Sequence, residues 1–154
     1  MMNLLISIKP EFVEKIISLD KKYEFRRSIF KRPVEKIFIY STYPEKKIVG
    51  YFEFKKVIKD SPINLWNKFS HVSGTTEESF FKYFEGKKEG FAINIHNLNI
   101  FQTPIETSHI KNFRAPQSFC YIDEDPIFNQ IKNKNNEKIY HEYGKQFKLM
   151  INET

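Results

Sequence analysis

The chain has 154 residues, of which 40% are hydrophobic and sixteen are phenylalanine; that is enough apolar area for one domain with a real core, and it excludes disorder for the bulk of the chain. One cysteine, Cys120, excludes an intramolecular disulfide and a multi-cysteine zinc site. The net charge of +6 is uneven: residues 1–60 hold fourteen basic and eight acidic residues, whereas 61–154 hold eleven of each.

NLLISI (3–8) is a short apolar run rich in β-formers and is predicted to be a buried strand. Pro10 then suits the first turn of a helix over PEFVEKIISL, with Phe12, Val13, Ile16, Ile17 and Leu19 on its apolar face. KKYEFRR (21–27) alternates charge with aromatics, the period-two pattern of a strand with one wet face. On that pattern Lys22, Glu24 and Arg26 face solvent, while Tyr23 and Phe25 face inward. EKIFIYST (35–42) is the next strand and YPEKK a loop. IVGYFEFKKVI (48–58) is one long strand in which Gly50 marks a bulge or close backbone approach. Ser61 with Pro62 opens a helix over SPINLWNKF; Thr75 or Thr76 caps a second one, which Gly86 stops. EGFAINIHNL (89–98) alternates as a strand, TPIETSHIKNF holds one helical turn, and RAPQSFCYI is broken by proline. The C-terminal KIYHEYGKQFKLMI fits a strand pair or a helix, and its Gly144 and aromatics favour β. The order βαβββααβ predicts an α+β fold: a small β-barrel or curled sheet of about five to six strands with two to three helices beside it.

Three of the four arginines, Arg26, Arg27 and Arg32, fall within seven residues. Lysine is enriched here together with isoleucine, asparagine and phenylalanine, as AT-rich coding produces regardless of function, so arginine is the sharper signal. Its planar fork grips phosphate or a base edge, and the N-terminal half is expected to face a polyanion. The phosphate loop, the dinucleotide glycine fingerprint, the nucleophile elbow and the HExxH zinc motif are all missing, and the four histidines lack metal-like spacing. No metal or cofactor is expected. No stretch approaches the roughly twenty apolar residues of a membrane span, and MMNLLISIKPEF lacks the layout of a cleavable signal. The expectation is a soluble protein of a reducing cytoplasm. The plain reading of DKKYEFRR is an amphipathic edge strand with weak ion pairs Lys22–Glu24–Arg26. By physics alone it stands level with a binding site.

Taken together, these segments resemble the ASCH domain of the PUA-like superfamily. LLISIKPEFVEKIISLDKKYEFRR looks like that family's strand–helix–strand entry, and its motif G-x-K-x-x-E-x-R falls on Leu19, Lys21, Glu24 and Arg26. IFIYSTYP (37–44), IVGYFEF (48–54), residues 65–95 and APQSFCYI (115–122) resemble the segments that follow, in order. The motif glycine is Leu19 here, so the helix must end without glycine, and Asp20 is expected to supply the left-handed turn.

The resemblance implies an ASCH domain over residues 1–122, with 123–154 as an extension packed on it. It further implies a cleft beside the first helix displaying Lys21, Glu24 and Arg26, and binding of RNA or a modified nucleotide. Lys9 and Arg27 would widen the positive rim; Tyr40, Tyr43 or Phe119 would offer a stacking surface; Ser41 and Gln117 would complete the binding set. If the protein is an enzyme, the family implies a hydrolase of RNA or a modified nucleoside, with Lys21 and Glu24 as catalytic residues. The family's amidohydrolase type places a threonine where this chain has Glu24, which removes the nucleophilic hydroxyl. A protein partner through the C-terminal extension is the third expectation.

Overall fold

The computed structural model describes residues 1–123 and 129–131, and of 139–141 the backbone. The element order is β1 (Met2–Ile8), α1 (Pro10–Ile17), β2 (Tyr23–Arg26), β3 (Val34–Ser41), β4 (Lys47–Glu53), β5 (Val57–Asp60), α2 (Pro62–Phe69), α3 (Glu77–Tyr83), β6 (Gly90–Asn94), β7 (His96–Glu106), β8 (Phe119–Tyr121) and β9 (Ile139–His141). The class is α+β, as expected, and no closed barrel is found among the described residues. Their strands make two open sheets, one of six strands in the order β8-β1-β3-β4-β7-β9 and one of three, β2-β6-β5. In the larger sheet β1 and β3 are parallel and their other neighbours antiparallel, so the C-terminal ends of β1 and β3 lie at the same edge.

Two apolar runs that read as continuous strands each change sheet part-way. Residues 48–58 leave β4 at Phe54, whose N–H still bonds to Glu35 O, and resume as β5 in the other sheet. Residues 89–98 break at Ile95, whose N–H turns to Lys22 O, so β6 and β7 belong to different sheets. Strands that bend from one sheet into another keep their hydrophobic alternation across the corner, and the pattern therefore hides the bend. Strand β7 runs past Leu98, where the expected strand ends, and through Pro104 to Glu106; the expected helical turn follows at Thr107–His109. Gly50 pairs with Ile100 and Ile48 with Ile105, so residues 101–104 stand opposite Val49 alone and Pro104 interrupts no rung of the β4 ladder. Gly50 is needed there: a Cβ would lie 2.2 Å from Asn99 O.

Local signals behave as the sequence predicts. Ser61 accepts from Asn64 N at 3.2 Å and Thr76 from Ser79 N at 3.2 Å, and Gly86 ends the second of these helices at φ 79°. Where α1 ends, Leu19 itself takes the left-handed conformation at φ 70°, not Asp20, which instead accepts from the Ser18 hydroxyl at 2.9 Å. A left-handed non-glycine costs about 1–2 kcal/mol. The half-buried Leu19 side chain packs against the main core, and that contact offsets the cost.

One face of the large sheet, with Leu4, Ile6, Ile37, Ile39 and Phe52, packs against Val13 and Ile16 of α1 and Ile93 of the small sheet. The opposite face, with Leu5, Phe38, Tyr40 and Phe101, is covered by Ile110, Phe113 and Ile131. The outer face of the small sheet, through Phe25 and Ala92, packs on Leu65, Phe80 and Phe84 of the α2–α3 segment. The small sheet is thus apolar on both sides. NKNNEK and the chain beyond His141 lie outside the described residues, and with them most of the proposed extension.

Candidate functional site

Strand β2 pairs antiparallel with β6, placing Glu24 opposite Ile93 and Phe25 opposite Ala92. Directly opposed residues share a face. Phe25 therefore joins the α2–α3 cluster, and Glu24 points with Ile93 toward the large sheet. This corrects the expected wet face: Glu24 is buried and Arg26 half-buried, because each side of β2 has a neighbour. Lys21 precedes the strand, held by a single bridge to Ser73, and is buried; Lys22 is exposed and is not Glu24's partner.

The three charges form one connected network. Lys21 Nζ lies 3.3 Å from Glu24 Oε1 and donates to Ser73 O at 3.1 Å. Arg26 clamps the other carboxylate oxygen, Nε and Nη2 reaching Glu24 Oε2 at 2.9 and 2.6 Å. Its outer edge spans to the large sheet, Nη2 to Ser7 O at 2.7 Å and Nη1 to Ser118 Oγ at 3.0 Å. Ser7 Oγ in turn donates to Pro116 O at 2.6 Å. The Lys21 ammonium also sits 4.9 Å from the Phe25 ring centroid and 5.6 Å from that of Phe12. Gly74 makes this possible: it adopts φ +69°, and a Cβ there would stand 2.7 Å from Lys21 Cβ.

Two cations and one carboxylate leave a formal charge of +1 in a largely dry junction. Burial alone would raise the Glu24 carboxyl, but Lys21 and Arg26 outweigh it and hold the group below its ordinary 4.5. Burial pushes the Lys21 ammonium below its ordinary 10.5, against the pull of Glu24 and with the help of Arg26. The arrangement can therefore hold a fixed guanidinium at a sheet edge, and it contains a lysine whose neutral form is more accessible than usual.

The other predicted residues scatter. Lys9 is exposed at the start of α1, two residues beyond Ser7, and Gln117 is exposed beside Ser118. Arg27 turns the other way, its guanidinium 4.8 Å from the ring centroid of Tyr83 on α3. Tyr40 is buried on the far face of the large sheet with its ring 5.2 Å from Phe113, and the Phe119 ring packs 6.0 Å from that of Phe30. Ser41 is buried at the end of β3, paired with Ile8. Sequence reasoning missed Ser7, Ser73 and Ser118. Two of them had a pointer: Ser7 ends the first family-like strand, and Ser118 lies within the Pro-Gln-Ser-Phe segment. Among the described residues no cluster of three or more metal-binding side chains occurs, and no helix is long and apolar enough to cross a membrane.

No protein-family profile matches the chain. Individual proteins do. An ASCH domain-containing ribonuclease of Zymomonas mobilis is 29% identical over 125 residues, covering 78% of this chain and 84% of that protein. The ATP synthase subunit alpha of Ureaplasma parvum serovar 3 is 28% identical over 121 residues, 78% of this chain but 15% of that protein. The crystal structure of ASCH from Zymomonas mobilis superposes with a TM-score of 0.78 at 25% identity, covering 88% of this chain and 97% of that one. A serine-to-alanine variant of the same Zymomonas protein gives a TM-score of 0.77 with the same coverage. The Zymomonas sequence and the Zymomonas structure are both similar to this chain over most of its length, and together they support an ASCH domain protein.

Proposed function

We propose that the protein binds RNA or a modified nucleotide at the sheet edge where Arg26 meets Ser7 and Ser118. The observation that carries this is the excess positive charge of the Lys21–Glu24–Arg26 network. A buried charge that its own partners do not neutralise favours an anion beside it. Arg26 is the contact residue, its fork oriented by Glu24 through two bonds to one oxygen. Lys21 acts through Glu24 as a positioning residue, because its side chain is only 4% accessible. Exposed Lys9 and Gln117 flank the edge and supply further phosphate and base contacts. The Zymomonas relative, named a ribonuclease, supports an RNA ligand. In this reading residues 1–122 form a PUA-like ASCH domain acting in the cytoplasm, and no metal is invoked.

The second reading is RNA cleavage at the same edge, favoured by that relative's name and by the lowered ammonium of Lys21. Amidohydrolase chemistry is not favoured, since Glu24 supplies no hydroxyl and both its oxygens are engaged.

One experiment separates the two: end-labelled single-stranded RNA is titrated at low salt with wild type, Arg26→Glu and Lys9→Glu, then resolved on a denaturing gel. The expected result is intact RNA, bound by wild type and weakened about tenfold or more by Arg26→Glu. Lys9→Glu, at an exposed position, is expected to weaken binding without disturbing the fold. Full affinity in both variants would remove this edge as the site. Shortened RNA with wild type would favour the second reading.

A further inference from the structure

The turn between β3 and β4 carries Tyr43, 77% exposed. Isolated exposed apolar residues are ordinary on any protein surface. This one differs in how it is held and where it stands. Thr42 N bonds to Ile8 O at 3.1 Å, tying the start of the turn to the end of β1. Glu45 N closes on Thr42 O at 3.0 Å, and Lys46 O accepts from both Thr107 N at 3.3 Å and Thr107 Oγ1 at 2.8 Å. Anchored on both flanks, the turn holds the ring outward instead of letting it fold onto the core. The Lys46 ammonium lies 5.6 Å from the ring centroid, so a cation attends one side of the aromatic.

The location matters as much. Ile8 pairs with Ser41 in the parallel β1–β3 ladder, so the turn and the Arg26 contact on Ser7 O occupy the same edge of the large sheet. Strand β3, which leads into the turn, is the parallel neighbour of β1, so the Tyr43 turn follows one strand over from the Ser7 carbonyl that Arg26 holds. Exposed Lys9 lies on that edge as well.

We propose that Tyr43, with Lys46 beside it, is a shelf on which an unpaired base of a single-stranded RNA stacks while a neighbouring phosphate of the same strand meets Arg26. This inference rests on the RNA-binding reading and narrows its ligand to single strands. A flat, exposed aromatic with an ammonium at its side matches a base and its phosphate; a paired base in a duplex has no free face to offer it. The shelf is independent of base identity, because every base has a π-face.

The test uses a short oligouridine carrying one 2-aminopurine, whose fluorescence falls on stacking, and a double-stranded RNA of equal length. Wild type is expected to bind the single strand and quench the fluorophore, and to bind the duplex more weakly. Tyr43→Ala should lose the quench and at least about fivefold in affinity. Tyr43→Phe should retain both, which a role of the hydroxyl would not allow. Lys46→Gln should leave the quench and reduce the salt dependence by about one phosphate contact. Wild-type binding with unchanged quench in Tyr43→Ala would overturn the shelf and leave the Arg26 site standing. An equal loss on duplex and single strand would also overturn it, pointing to a backbone contact. Absence of any binding by wild type would overturn the RNA-binding reading itself.

Discussion

The three-stranded sheet holds a lysine–glutamate contact on each of its two sides. On the β2 side Lys21 and Glu24 are 3.3 Å apart, with side chains 4% and 9% accessible. On the β5 side Lys59 and Glu89 are 3.5 Å apart, with side chains 57% and 56% accessible. The separations are nearly equal, so distance does not distinguish them; solvent does. Water screens the second pair until little attraction is left. In the first, each charge has surrendered its hydration and depends on the others, with Arg26 completing the set at 2.6 Å. The same residue types at the same spacing are thus surface decoration at one side of a sheet and an interlocked unit at the other.

The contrast breaks most visibly at Glu24. Its removal leaves two cations facing each other in a dry junction, and Glu24→Ala is expected to cost about 3–5 kcal/mol by urea unfolding at neutral pH. A loss under about 1 kcal/mol would place the network with the surface pairs. Glu24→Gln isolates charge from shape and carries a pH signature. Because Glu24 titrates below its ordinary 4.5 in the fold, its contribution is present above pH 4.5 and disappears as pH falls through the lowered value. The stability gap between wild type and Glu24→Gln should therefore be full at neutral pH and close steadily below pH 4.5. A gap that stays constant into acid would mean that the carboxylate's charge contributes nothing.

Two glycines sharpen the contrast at the next level. Gly74 and Gly86 both hold positive φ, +69° and +79°, so alanine strains the backbone at either by about 1 kcal/mol. Only at Gly74 does the added methyl meet a neighbour, the Lys21 side chain at 2.7 Å; around Gly86 nothing lies within 4 Å. Gly74→Ala should lose about 2 kcal/mol or more in a thermal or urea melt and weaken RNA binding by shifting Lys21. Gly86→Ala should lose only the backbone cost and leave binding untouched. Equal losses would show that the room reserved for Lys21 has no energetic weight.

What the sequence made legible follows the range of the physics. Ser61, Thr76 and Gly86 act within four residues of themselves, and those helix ends stand where composition puts them. The motif residues Lys21, Glu24 and Arg26 were also legible as a set, through family likeness. Their burial was not. Alternation tells a wet face from a dry one only when one side of a strand is bare, and β2 is covered on both. A charged residue on a covered face looks the same in sequence as one in water. The partners that make burial tolerable come from far along the chain: Ser73 O for Lys21 and Ser118 Oγ for Arg26. No local pattern carries them. Leu19 shows the converse, a position that family likeness marks for glycine and that keeps its left-handed φ of 70° with a leucine in place.

The smallest expected effect is the one that closes the comparison. Lys59→Gln shortens the side chain by one atom, keeps a polar end and removes the charge, and so reads chiefly the Lys59–Glu89 attraction. Both partners are more than half exposed, and holding two long side chains in one geometry costs entropy that offsets most of the screened attraction. The loss should stay within about 0.5 kcal/mol and shrink further in 1 M salt, where the screening length falls to about 3 Å. Glu24→Gln, measured in the same salt, should keep most of its penalty, since ions do not reach a junction that water has left. If Lys59→Gln instead cost as much as Glu24→Gln, burial would not be what separates the two contacts, and the case for an interlocked site at the β2 side would have to rest on Arg26 alone.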